Sequence, residues 1–106
     1  NNNEKVKTLK YATLNNLTTG TNVKVLYYPN TLSSVVYSID GSIVGLKKWG
    51  QKNKIIEVKP VKPLTIEGGA VFNDKGEFVG MITTSYKGEV GRFYAVPSIY
   101  IRGKIK

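Results

Sequence analysis

The residues of this chain that could do chemistry are concentrated in one short stretch, Thr65-Ile66-Glu67-Gly68-Gly69-Ala70. Glu67 places a carboxylate directly before two glycines, which lack a Cβ and let the backbone bend sharply or approach another segment closely. Such a carboxylate can attack a substrate when suitable partners exist, accept N–H groups or bind a basic group. The sequence contains neither histidine nor cysteine, so the commonest general base and the usual zinc ligands are missing. We therefore predict no metal site and no cofactor.

A predicted hairpin follows this stretch and must position it. Val71 and Phe72 are strong strand formers, and the run Asn73-Asp74-Lys75-Gly76 is typical of a tight turn. Residues 78–84 then form the return strand. We assign a structural role to the four glycines of this region, which are Gly68, Gly69, Gly76 and Gly80.

The remaining chain is also typical of short strands joined by turns. Further strands are predicted over residues 21–28, 33–39, 42–49, 54–58 and 90–96. Asp40-Gly41 is the expected turn between the second and third of all the strands, and Gly45 indicates a bulge. Two prolines predict an extended loop over residues 59–63, and Ser98 is positioned to cap a short helical turn through Ile101.

The length of 106 residues indicates one domain, which we place at residues 14–106 after a linker or edge strand at residues 1–13. Six or seven short strands without helical periodicity predict an all-β barrel or sandwich. No apolar run is long enough to form a transmembrane segment.

The composition is basic, with a net charge of +9. Arg92 and Arg102 are the only arginines, so the excess consists mainly of lysine. Lysines spread along a chain are typical of a solvated surface or of weak attraction to anionic polymers and lipid headgroups, whereas specific base reading favours arginine.

Two runs carry a resemblance to a known family. The stretch from Gly68 to Ile82, with two glycines, an Asn-Gly turn and a Val-Gly-Met return, resembles the segment after the catalytic serine of trypsin-like serine proteases, most of all their HtrA-like branch. The run Gly91-Arg92-Phe93-Tyr94-Ala95-Val96-Pro97 resembles the late strand that borders their substrate pocket. The resemblance implies one six-stranded Greek-key barrel, similar to the C-terminal barrel of that family.

The same resemblance argues against catalysis, because the residues that do the chemistry differ. Glu67 stands at the position of the nucleophilic serine, Thr65 at a glycine that contributes to the oxyanion hole, and Ile66 at a small polar residue. The histidine and aspartate of the triad belong to the first barrel of the family, and this chain has no histidine. We predict that the chain is not itself an enzyme.

Three interpretations of Glu67 remain open. It is an exposed remnant of a lost site, a structural acceptor of N–H groups or partner of Lys62, or a group that recognises a basic ligand. The residues Gly91, Arg92, Phe93, Tyr94 and Ala95 are the predicted binding residues, as the strand of a former substrate pocket.

The favoured interpretation of function is a catalytically inactive, protease-like barrel that serves as an interaction or structural module of a larger protein. Its partner is another domain, subunit or protein that covers the face normally turned to the first barrel. The alternatives are the C-terminal half of an active HtrA-like endopeptidase with an atypical site, and a basic β-barrel that binds anionic polymers. The resemblance also favours an extracytoplasmic or cell-surface location, with any membrane anchor outside this chain.

Overall fold

The computed structural model describes residues 18–28, 35–50, 53–62, 66 and 68–102, with the backbone alone at residues 101 and 102. The described part contains strands and one short helix. They are β1 (Asn22–Tyr27), β2 (Tyr37–Trp49), β3 (Asn53–Pro60), β4 (Ala70–Asn73), β5 (Phe78–Ile82), β6 (Phe93–Pro97) and α1 (Ser98–Arg102). The predictions for residues 1–13 lie outside the described residues.

The six strands close into an antiparallel barrel in the order β1-β2-β3-β6-β5-β4. The first three strands are consecutive neighbours, and β4 then crosses over to pair with the free edge of β1. This arrangement is a Greek key. The barrel closes where β6 pairs with β3, and closure leaves no strand edge unpaired around the sheet. The predicted all-β Greek-key barrel is therefore confirmed.

Alternating side chains fill the barrel interior. Val23 and Val25 of β1 are buried while Lys24 between them is exposed, as the two-residue period of a strand requires. All strands contribute to the core, which consists of Val23, Val25, Ile39, Ile43, Ile56, Val58, Ile66, Val71, Val79, Ile82, Phe93 and Ala95. Full burial of one such aliphatic side chain contributes about 1.5–3 kcal/mol.

The turn predicted at Asp40-Gly41 is wrong. β2 passes straight through both residues, and Gly41 pairs with Val23 on one side and Pro60 on the other. A Cβ at Gly41 would lie 2.8 Å from the carbonyl oxygen of Lys59. Glycine is needed at this position because β3 approaches closely. The Asp40-Gly41 dipeptide, which suggests a turn in the sequence, therefore marks tight strand packing instead.

Other boundaries differ less. The bulge expected near Gly45 is present, because Ile43 pairs with Val58 and Gly45 with Glu57, which leaves Val44 as the extra residue. The loop predicted from residue 59 begins later, since β3 continues to Pro60. Proline is tolerated there because it ends the strand and needs no further ladder N–H.

The predicted β4–β5 hairpin is present, although β5 ends at Ile82 and not at residue 84, and its turn is held by one side chain. The Oδ1 atom of Asn73 accepts the N–H groups of Lys75 at 3.0 Å and Glu77 at 2.9 Å, while its Nδ2 atom donates to Glu77 Oε1 at 2.8 Å. Gly76 has a φ of 80°, which favours glycine. The turn therefore brings β5 back beside β4 and directs both strands toward the region of residue 66.

Candidate functional site

Two of the residues singled out for chemistry, Thr65 and Glu67, lie outside the described residues. Ile66 between them is buried in the barrel core with an exposed fraction of 9%. Gly69 accepts a hydrogen bond from the Ile82 N–H at 2.8 Å, so the chain after residue 67 is tied to the end of β5. A Cβ at Gly69 would lie 2.6 Å from the Leu26 carbonyl oxygen, whereas one at Gly68 would meet nothing within 4 Å.

A cleft of about 330 Å³ lies beside Ile66. The end of β5, the loop that follows it and the start of β6 form its walls. Its lining consists of Ile66, Ile82, Thr83, Thr84, Tyr86, Lys87, Gly88, Glu89, Arg92, Phe93 and Tyr94. Three of the predicted binding residues, Arg92, Phe93 and Tyr94, therefore face one cavity together with the residue before Glu67.

The other two predicted binding residues do not line this cleft. Ala95 is fully buried in the barrel core, and Gly91 adopts a φ of 86° in the turn that leads into β6. Both contribute to the structure around the cleft through their backbone. Gly91 lets the chain turn into the strand, and Ala95 pairs with Ile56 and Ile82 in the barrel wall.

A buried carboxylate that the sequence analysis missed lies behind the cleft. Glu57 on β3 is 1% exposed and pairs in register with Tyr94 on β6. Its Oε2 atom accepts a 2.6 Å hydrogen bond from Arg92 Nη1 and a 3.4 Å one from the Tyr94 hydroxyl. The Lys47 ammonium lies 3.5 Å from Oε1, and that oxygen accepts no hydrogen bond within the described part of the chain.

A recognisable signal for Glu57 was present in the sequence. Residues 55–58 read Ile-Ile-Glu-Val, a run in which both faces of the strand are covered, as in a strand buried on two sides. An acid within such a run requires a cation, since an unpaired buried charge is costly. The sequence alone could not say which of the sixteen basic residues supplies it.

Tyr94 connects this charge to the loop over the cleft. Its hydroxyl accepts the Glu89 N–H at 2.8 Å, and the Tyr86 ring lies against its ring with centroids 4.7 Å apart. Gly88 lies so close to the Tyr94 ring that no Cβ fits between them. Burial, followed by the nearby carboxylates of Glu57 and Glu89, raises the pKa of Tyr94 above its ordinary value of 10.0, which keeps its proton in place.

The arginine of this cleft is already paired with a carboxylate. Arg92 is held by Glu57, so its guanidinium is positioned and partly neutralised rather than free to stabilise an oxyanion. The described lining residues include no serine, cysteine or histidine. Nowhere in the described ranges do three metal-ligating side chains come together.

A second, larger cleft of about 650 Å³ is lined by residues of β1, β2 and the β4–β5 hairpin. Lys24 and Asp40 lie on its wall and form an exposed ion pair at 2.9 Å. Exposed pairs of this kind contribute about 0–1 kcal/mol. None of the predicted binding residues lines it, and neither does Glu57, the buried charged residue of the described part of the chain.

The comparisons with known proteins assign no family. No family model matches this chain, and no curated protein matches it either. Within the described residues, no helix has the length and apolar character needed to cross a bilayer.

Proposed function

We propose that this chain is a catalytically inactive barrel of the trypsin-like kind that serves as a protein-interaction module of a larger protein. The observation that carries the proposal is the cleft beside Ile66. The cleft is formed by the ends of the two runs that carry the resemblance and by the loop between them, and its arginine is paired with the buried carboxylate of Glu57.

The inactive part of the proposal rests on the residues available. A trypsin-like mechanism needs a nucleophile, a histidine base and donors for the oxyanion. The sequence contains no histidine, and the resemblance puts Glu67 at the nucleophile position and Thr65 at an oxyanion glycine. A carboxylate beside an oxyanion hole would occupy it or repel the negative charge that develops there.

The interaction part rests on the cleft's size and construction. A volume of about 330 Å³ is at the small end of ligand sites and suits one or two side chains of a bound segment. Ile66, Ile82 and Phe93 supply apolar surface, while hydroxyls and charges lie around them. Tyr94 already holds the loop, and Glu57 already holds Arg92. Binding a ligand therefore requires little further ordering of the cleft, so the loss of conformational entropy on binding is small.

Peptide binding tests the proposal directly. A peptide library is screened against the purified chain, and the affinity of the selected peptides is measured by fluorescence anisotropy. Lys87→Glu changes an exposed residue of the cleft wall, and Lys75→Glu makes the same charge change at the β4–β5 turn. We expect Lys87→Glu to change affinity by roughly fivefold to tenfold and Lys75→Glu by less than about twofold. Equal effects, or no selected peptide, would contradict the proposal.

A parallel measurement tests the absence of catalysis. The chain is incubated with a fluorophosphonate probe and with casein, and labelling and peptide release are followed. We expect neither in the wild type. Hydrolysis of casein that disappears in the Glu67→Gln variant would overturn the assignment as an inactive barrel and favour the endopeptidase alternative.

A further inference from the structure

One end of the barrel combines unpaired lysines with aromatic and aliphatic side chains. It is formed by the end of the β2–β3 hairpin and by α1, and it lies apart from the residues that line the cleft beside Ile66. We call it the basic end and define it as Lys48, Trp49, Lys54, Ile99 and Tyr100.

The two lysines of the basic end lie directly opposite each other. Lys48 on β2 pairs with Lys54 on β3 in the antiparallel ladder, and both side chains are exposed. Within the described residues no carboxylate lies within 4.0 Å of either ammonium group, whereas the adjacent Lys47 reaches Glu57. Like charges directly opposite each other destabilise a sheet. The stability of the fold therefore does not explain why two lysines stand opposite each other here.

Amphipathic side chains lie on the elements next to the lysine pair. Trp49 is half-buried and belongs to the next pair of the ladder, Trp49 with Asn53, so it projects from the other face at the same end of the hairpin. The Tyr100 hydroxyl accepts the Lys54 backbone N–H at 3.2 Å, which places α1 beside the start of β3. Ile99, the residue before Tyr100, is 50% exposed.

We propose that the basic end binds the surface of membranes rich in anionic lipid. Lysines are attracted by the negative surface potential of such membranes, and tryptophan and tyrosine are favoured at the headgroup level. The exposed aliphatic group of Ile99 gains free energy at the boundary with the acyl chains. The phosphates of a nucleic acid would attract the lysines but would offer no apolar contact to Ile99. Specific phosphate clamps also favour arginine over lysine.

The chain provides its own reporter for the experiment, because Trp49 is its only tryptophan. The purified protein is titrated with vesicles of phosphatidylcholine alone or mixed with phosphatidylglycerol, and Trp49 fluorescence and co-sedimentation are measured. We expect a blue shift and sedimentation with the anionic vesicles only, both decreasing as salt is added.

Matched variants locate the contact. Lys48→Gln with Lys54→Gln neutralises the basic end, and Lys59→Gln with Lys62→Gln removes the same charge from exposed residues at the opposite end of β3. We expect partitioning to fall by about thirtyfold for the first pair and by less than about threefold for the second. The melting temperature of the first variant should stay equal to or above that of the wild type, which separates lost binding from lost folding.

Several results would overturn the proposal. They are failure to bind anionic vesicles at low salt, equal binding to neutral vesicles, and equal loss in the two variants. Binding of a DNA oligonucleotide under conditions where anionic vesicles are not bound would assign the basic end to nucleic acid instead.

Discussion

The β2–β3 hairpin carries charged residues in two different environments along its length. In its inner part, Glu57 is buried and surrounded by Arg92, Lys47 and Tyr94. At its outer end, Lys48 and Lys54 oppose each other in the open without a described carboxylate nearby. Charge at the first place is compensated within the fold. Charge at the second place has no carboxylate partner among the described residues.

The two environments place different demands on the fold. A buried carboxylate is expensive to desolvate, so it persists only where several donors converge on it, and it then fixes their geometry. An exposed repulsive pair costs little and can be kept where binding requires it.

The largest effect is expected from removing the main partner of Glu57. Arg92→Met leaves the carboxylate buried with only the longer contacts to the Tyr94 hydroxyl and Lys47 among the described residues, and we expect the free energy of unfolding to fall by about 2–3 kcal/mol. Urea denaturation measures it. The double variant Glu57→Leu with Arg92→Met should recover most of the loss, since an apolar pair needs no compensation. A loss below about 0.5 kcal/mol in the single variant would mean that the ion pair does not hold the loop.

A smaller effect is expected where the loop meets Tyr94. Gly88→Ala places a methyl group against the Tyr94 ring, so the loop must shift and the Glu89 hydrogen bond to the tyrosine must weaken. We expect a loss of about 1–2 kcal/mol in thermal or urea unfolding. Gly50→Ala is the control, because Gly50 has a positive φ but no atom near the position of a Cβ. Its loss of stability therefore measures only the cost of the unfavourable backbone conformation. Gly88→Ala should change the affinity of the cleft for a bound peptide, whereas Gly50→Ala should leave that affinity unchanged.

The pH dependence tests the burial of Tyr94. Its pKa is raised in the folded state, so it contributes stability that is fully present below the unfolded value of 10.0 and is lost as the pH rises through the folded value. The melting temperature should therefore fall above about pH 10 more steeply in the wild type than in the Tyr94→Phe variant. Parallel curves for the two proteins would show that the tyrosine ionises without cost.

The smallest effect is expected at the outer end of the hairpin. Lys48→Gln relieves the repulsion of Lys54, and we expect the free energy of unfolding to rise by about 0.2–1 kcal/mol. Lys24→Gln is the control, because it removes a lysine that is paired with Asp40 and should lower stability slightly. A stability loss in Lys48→Gln would show that the lysine has a structural partner after all.

Much of the barrel was predictable because its signals are local. The alternation of Val23, Lys24 and Val25 defines β1, and the Asn73–Gly76 turn defines the β4–β5 hairpin before any contact between strands is considered. The error at Asp40-Gly41 shows the limit of local reasoning. The same dipeptide suits a hairpin turn and a crowded strand crossing, and only the position of the Lys59 carbonyl decides between them.

The candidate site was predictable in part. The residues Arg92, Phe93 and Tyr94 were named from the resemblance and do line one cleft. Glu57, which holds two of them, was not named because Arg92 and Tyr94 lie 35 and 37 residues away from it along the chain. Ion pairing over such separations depends on strand order, and strand order is not encoded in any single segment.

The all-β class, the strands and hairpins with local signals, the positive charge and the lack of histidine and cysteine can all be read from the amino-acid order. These properties follow from side-chain period, turn chemistry and composition, which act within a few residues. Only the tertiary structure decided that β3 meets β6, and with that pairing Glu57 came to lie under Arg92 and Tyr94. It also left Lys48 and Lys54 facing each other in solvent, because register fixes which charges become neighbours.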